Sequence, residues 1–145
     1  MSVMVDHEAS EEAETYGASV ERPRVIAAIA AYNEEVAIGS VILKTKKYVD
    51  EVVVVDDGST DGTAEVAELA GAHVLRHARN LGKGMAIRTA WLYARQSGTD
   101  ALVLLDGDHQ HEPQDIPKLV GPIVEGRTDV MLGVRWGKTS GMPSY

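Results

Sequence analysis

The stretch Ala101-Leu102-Val103-Leu104-Leu105-Asp106-Gly107-Asp108-His109-Gln110-His111-Glu112-Pro113 decides how this chain is read. Its apolar half, Ala101 to Leu105, has the character of a buried strand. It stops in two carboxylates separated by one glycine, residue types that strands disfavour and turns accept. Two aspartates at i and i+2 repel one another, and each is costly to bury without a partner. A divalent cation resolves both problems. Hard carboxylate oxygens suit Mg²⁺ or Mn²⁺, ions that commonly carry substrate phosphates. The stretch therefore predicts a metal and diphosphate site at the end of a central strand.

Working outward, the same grammar recurs. Arg24 to Ala31 is a near-continuous apolar run after Pro23, as expected of a strand buried on both faces. It ends in Tyr32-Asn33-Glu34-Glu35, where Asn33 is placed to cap a helix carrying Val36, Ile38, Val41, Ile42 and Thr45. Glu51 to Val55 predicts a second strand, closed by Asp56-Asp57-Gly58-Ser59-Thr60-Asp61-Gly62. Ser59 or Thr60 is then the expected cap of a helix running to about Ala70. Ala72 to Arg76 reads as a third strand, His77 to Lys83 as loop, and Gly84 to Gln96 as helix. Pro113 opens a last helix, Val130 to Val134 is a fifth strand, and residues 137–145 are loop-like.

Alternating strands and helices predict an α/β fold, Rossmann-like, with a mostly parallel sheet and helices on both faces. Ligands of such sheets bind beyond the carboxyl ends of the strands, where strand order reverses. Three polar clusters, Tyr32 to Glu35, Asp56-Asp57 and Asp106 to Gln110, fall at such ends. One of Asp56 and Asp57 is the expected partner of a ribose or base, the other a turn residue.

Several phosphate and metal sites are excluded. Neither Gly-x-Gly-x-x-Gly nor Gly-x-x-x-x-Gly-Lys-Ser/Thr occurs, which disfavours dinucleotide dehydrogenases and P-loop enzymes. Asp57, Ser59, Asp61, Gly62 and Glu68 imitate the spacing of a calcium-binding EF-hand loop, but a valine strand stands where its first helix belongs. A hydrolase metal cluster built on His109 and His111 lacks further histidines on neighbouring loops, and His111 is better read as a turn residue.

Composition bounds the rest. The 145 residues suffice for one domain with a core, and the absence of Cys rules out disulfides and thiolate metal sites. Net charge is −8, and residues 1–22 contribute −5 of it through Asp6, Glu8, Glu11, Glu12, Glu14 and Glu21 against Arg22. An acidic chain without a basic face argues against nucleic acid. Residues 1–22 lack periodicity and read as an acidic flexible tail, with residues 23–145 as the domain. Val25 to Ala31 is too short to span a bilayer, and no signal-peptide pattern opens the chain, so a cytoplasmic location is expected.

Taken together, Ala-Tyr-Asn-Glu-Glu, Val-Val-Asp-Asp-Gly-Ser-Thr-Asp-Gly-Thr, Asn-Leu-Gly-Lys-Gly and Leu-Asp-Gly-Asp-His-Gln-His-Glu-Pro resemble the family 2 glycosyltransferases of GT-A fold. The likeness runs over residues 24–136, and its nearest aspect is to dolichyl-phosphate mannose synthases and other polyprenyl-phosphate glycosyltransferases. It implies that Tyr32 and Glu34 contact the nucleotide, with Ala30 beside them, and that Val55 and Asp57 hold base and ribose. Asp106, Gly107 and Asp108 would form the Asp-x-Asp motif, with Gln110 a further ligand of Mg²⁺ or Mn²⁺. Asp106, Asp108 and Arg135 would serve the transfer, Arg135 facing phosphate groups. Lys83 matches the family's glycine-lysine loop, and a solvated loop lysine is an equal reading of it.

The implied function is metal-dependent, inverting transfer of a sugar from a GDP- or UDP-linked donor to a polyprenyl or dolichyl phosphate. The chain would act at the membrane surface as a peripheral protein, with an oligomer compatible. The family continues beyond the position of Arg135 with acceptor-binding elements, so this chain is expected to lack most of the acceptor part. Two other functions fit the same residues: a non-enzymatic nucleotide-sugar-binding module and a nucleotidyltransferase-like metal enzyme.

Overall fold

Strand β2 (Val25–Ala31) is central because both its faces are apolar. Val25, Ala27, Ile29 and Ala31 face one core, and Ile26 and Ala28 the other. In the computed structural model, which describes residues 1–4 and 22–132, β2 pairs in parallel with β3 (Glu51–Asp56) on one side and β5 (Ala101–Asp106) on the other. Strand β4 (His73–Arg76) extends the sheet beyond β3. Beyond β5 lie β1 (Ser2–Met4) and β6 (Val130–Leu132), giving the order β4-β3-β2-β5-β1-β6.

Helices α1 (Ile38–Thr45), α2 (Thr63–Leu69) and α4 (Ile116–Val124) meet one face. Ile38, Val41, Ile42, Ala67, Ile116, Val120 and Ile123 fill that core. Helix α3 (Lys83–Gln96) covers the other face through Ala86, Ala90 and Ala94, whose small side chains let it lie close to β2 and β3. A short 3₁₀ turn at Pro113–Asp115 leads into α4. The Rossmann-like architecture expected from the alternation is thus present, helices on both faces included.

One expectation fails. Residues 1–22 read as tail, yet Ser2–Met4 form a strand antiparallel to both β5 and β6. Val3 is 0% exposed and packs among core residues. Only one of the three residues points inward, too short a pattern for periodicity to register. The remainder of the expected tail, residues 5–21, lies outside the described residues.

Two local expectations also change. Helix α1 begins at Ile38, not at Val36, which is exposed, and Asn33 does not cap it. Asn33 adopts a positive φ of 52° and its side chain crosses to the next loop. Helix α2 is capped by neither Ser59 nor Thr60. Asp61 Oδ1 accepts the Thr63 N–H at 3.0 Å.

Candidate active site

Strand order reverses at β2: the chain steps outward through β3 and β4, then α3 carries it back to β5 on the other flank. The loops leaving β2, β3 and β5 therefore meet at one edge, as open α/β sheets require. The first two are stitched reciprocally. Asn33 N–H donates to Ser59 Oγ at 2.9 Å, and Glu34 N–H to Thr63 Oγ1 at 2.9 Å. In return, Thr60 N–H donates to Asn33 Oδ1 at 2.9 Å, and Gly62 N–H to Glu35 Oε2 at 2.7 Å.

A cleft of about 380 Å³ opens at this edge. Tyr32 and Glu34 line it from the β2 loop, Asp57 from the β3 loop, and Asp106, Gly107 and Asp108 from the β5 loop. Ala30 borders it from β2, and Lys83 from the first turn of α3. A Cβ at residue 107 would sit at ordinary contact distance, 3.5 Å, from the Ala30 carbonyl, Ala31 and Glu34, so the β5 loop lies directly against the β2 loop. Val55 instead borders a second cavity of about 260 Å³ between α3 and the sheet, with Ala30, Lys83, Ala86 and Asp106 common to both spaces. Arg135 lies outside the described residues.

The Asp56-Asp57 pair is held by the protein itself. Asp56, 0% exposed, accepts the Ser59 N–H on Oδ1 at 3.0 Å. Its Oδ2 lies 3.2 Å from Arg76 Nε but out of line for a hydrogen bond, so the contact is Coulombic alone. Asp57 Oδ1 accepts His77 Nδ1–H at 2.7 Å and Leu81 N–H at 2.8 Å, and Oδ2 accepts Gly82 N–H at 2.9 Å. His77 Nε2 in turn meets the Thr89 hydroxyl at 2.9 Å. Burial alone would raise the Asp57 carboxyl. The His77 hydrogen bond, the Leu81 and Gly82 amides and the charge of His77 outweigh it and hold the carboxyl below its ordinary value.

Asp57 thus folds residues 77–82 over the cleft, a task that nothing in the sequence signals. Gly58 permits the approach. A Cβ there would sit 2.5 Å from the Arg79 backbone, and its φ is +76°.

The Asp106 to Asp108 loop is organised differently. His111 Nδ1 accepts the Asp106 N–H at 3.0 Å, which makes His111 the turn residue expected. Asp108 Oδ1 accepts the Gln110 N–H at 3.0 Å. Lys83 Nζ lies 2.7 Å from Asp106 Oδ1, so the glycine-lysine loop reaches the aspartate pair while the lysine side chain stays 64% exposed. Among the described residues no group of three His, Asp or Glu side chains is gathered around a common point for a metal. Two hard carboxylates beside an open cleft fit an Mg²⁺ or Mn²⁺ ion that keeps waters and phosphate oxygens in its remaining positions. The Lys83 ammonium marks where a cation is wanted.

Comparison with known proteins identifies the family. The sequence model of glycosyl transferase family 2 matches residues 26–145, and the chain belongs to that family. It is 42% identical over 109 residues to the glycosyltransferase AglJ of Haloferax volcanii, covering 72% of this chain and 34% of that one. It is 33% identical over 126 residues to UDP-N-acetylglucosamine--dolichyl-phosphate N-acetylglucosaminyltransferase of Methanococcus voltae, covering 74% and 50%. Among solved structures it is similar to Mycobacterium tuberculosis glucosyl-3-phosphoglycerate synthase in complex with Mn²⁺, UDP-glucose and phosphoglyceric acid. There the TM-score is 0.56, identity is 33%, and coverage is 72% of this chain and 40% of that one. The chain spans about half the length, or less, of the curated relatives first matched. No helix among the described residues is long and apolar enough to cross a membrane.

Proposed function

We propose that this chain is the donor-binding half of an inverting glycosyltransferase that moves a sugar from a nucleotide sugar to a polyprenyl or dolichyl phosphate. The observation that carries the reading is the convergence of Asp57, Lys83, Asp106 and Asp108 on one cleft at the strand-order reversal. Tyr32 and Glu34 flank the nucleoside. Asp57 takes a ribose hydroxyl or base N–H on Oδ2. That oxygen accepts the Gly82 amide, and a carboxylate offers roughly four lone-pair sites in all. Arg135 stands as the expected phosphate partner from the chain that follows β6.

Asp106 and Asp108, with Gln110 beside them, would hold Mg²⁺ or Mn²⁺, which when bound supplies positive charge to the departing diphosphate. Lys83 adds a second cation at the same carboxylate edge. A lipid phosphate is already anionic, so the acceptor needs no protein base. UDP-linked donors come first in any test, because the names of the M. voltae relative and of the M. tuberculosis complex carry UDP sugars.

The decisive experiment titrates UDP- and GDP-sugars into the chain, with Mn²⁺ and with chelator. A ligand at 100 times its dissociation constant raises stability by about 2.7 kcal/mol, readily seen as a thermal shift. Metal-enhanced binding of one donor class is the expected result. Absence of any nucleotide-sugar shift would sink the reading. Transfer to a polyprenyl phosphate is measured separately.

A further inference from the structure

We propose that Lys83 is a built-in counter-ion that competes with divalent metal for Asp106 and weakens its binding until a diphosphate arrives to take over the ammonium. The inference rests on the cleft being a nucleotide-sugar site and adds an order of events to it. Lys83 Nζ sits 2.7 Å from Asp106 Oδ1, on one of the two carboxylates that would hold the metal. Two cations on one carboxylate repel strongly in a partly desolvated cleft, so metal and ammonium compete.

The backbone leading to Lys83 is anchored while its side chain has room to move. Asp57 fixes the Leu81 and Gly82 amides at 2.8 and 2.9 Å, and Lys83 then opens α3 with its side chain 64% exposed. A swing of the ammonium disturbs no helical hydrogen bond, and the same cleft would hold the diphosphate. A diphosphate offers the ammonium several anionic oxygens in place of one. Metal and diphosphate then enter together, and Asp106 keeps a counter-ion while the site is empty.

Mn²⁺ binding, followed by electron paramagnetic resonance without nucleotide, tests this on the wild-type chain, Lys83→Met and Lys83→Arg. Lys83→Met should bind free Mn²⁺ about two- to fivefold more tightly, the change matching an ion pair of this exposure. It should bind UDP plus Mn²⁺ more weakly. Lys83→Arg, which keeps the charge, should retain the wild-type Mn²⁺ affinity. Melting temperatures verify that the variants fold. Equal Mn²⁺ affinity in wild type and Lys83→Met overturns the proposal even if UDP binding falls, because Lys83 is then a phosphate contact alone. Tighter Mn²⁺ binding in Lys83→Arg also overturns it, since charge would not be the cause. If wild type binds neither UDP nor GDP in the presence of Mn²⁺, the donor-site reading fails and the exchange step with it. The free-metal comparison still shows whether Lys83 guards Asp106.

Discussion

Two strands in this molecule end in a pair of aspartates, and the two pairs have opposite fates. At the end of β3, Asp56 and Asp57 are 0% and 5% exposed, and between them they take four hydrogen bonds from donors among the described residues. At the end of β5, the Asp106 side chain is 32% exposed and its carboxylate is balanced by an exposed lysine. The difference lies in the turn after each strand. The β3 turn and the 77–82 loop supply amides and an imidazole at short range. The β5 turn supplies its pair with one amide, the Gln110 N–H to Asp108, and sends the Asp106 N–H to His111. A carboxylate pair surrounded by protein donors builds the site, and a pair left short of donors can take a cation from solution.

The sharpest way to break this contrast is Asp57→Ala. It leaves the His77 imidazole and the Leu81 and Gly82 amides without their acceptor. Removing one partner from such a buried arrangement costs about 3–5 kcal/mol. Denaturant unfolding should show that loss before any nucleotide is added. A loss below about 1 kcal/mol would show that the 77–82 loop stands without Asp57.

Asp108→Asn should do the reverse. The fold should hold or gain slightly as repulsion with Asp106 is relieved. Binding of free nucleoside should barely change, while Mn²⁺-dependent binding of the nucleoside diphosphate should fall by roughly 1.5–3 kcal/mol, the worth of a charged contact. Isothermal titration with Mn²⁺ and with chelator measures both. Equal metal enhancement in the two proteins removes Asp108 from the metal site.

Much of this frame was legible in the sequence. The valine run of β3 and the mixed apolar run of β5 announce buried parallel strands, and their polar ends announce the edge where ligands bind. The features that escaped depend on partners distant in the chain. Val3 pairs with Val103, a contact that three residues of sequence cannot advertise. Ser59 and Thr60 look like helix caps, but Asn33 from the neighbouring loop engages them first. Asp57 looks like a ligand residue, and nothing in His77-Ala-Arg-Asn-Leu-Gly reveals that three of its donors would converge on that carboxylate. Local signals record where chemistry happens along the chain. Whether a carboxylate is already occupied is settled by the tertiary fold.

Acid should loosen the β3 turn more gently. The Asp57 carboxyl lies below its ordinary value of 3.8 in the folded chain. A lowered pKa means the folded state holds its proton less tightly than the unfolded state does. Its contribution to stability is therefore complete above about pH 4 and is lost as pH falls through the lower folded value. Melting temperatures of wild type and Asp57→Asn, followed from pH 7 down to about 2, should converge across that window. A gap that stays constant would mean that hydrogen-bond geometry, and not charge, is what Asp57 supplies.

The smallest effect is expected at the more buried aspartate of the β3 pair. Asp56 is 0% exposed, yet its cationic neighbour, Arg76, has a side chain 56% exposed, and the 3.2 Å contact is not aligned as a hydrogen bond. Burying a carboxylate costs several kcal/mol before any compensation, and an exposed, misaligned guanidinium returns little of it. Asp56→Asn keeps an acceptor for the Ser59 N–H and removes the charge. Arg76 can turn to water while still donating to the Ser59 carbonyl, which it reaches at 3.0 Å. Stability should therefore change by less than about 1 kcal/mol in either direction, and a gain is allowed. Paired with Asp57→Ala, the experiment compares adjacent carboxylates of similar burial that differ in their donors. A large loss at Asp56 would show that the Arg76 contact, and not the supply of amide and imidazole donors, holds the β3 turn, and the contrast between the two aspartate pairs would have to be redrawn around that arginine.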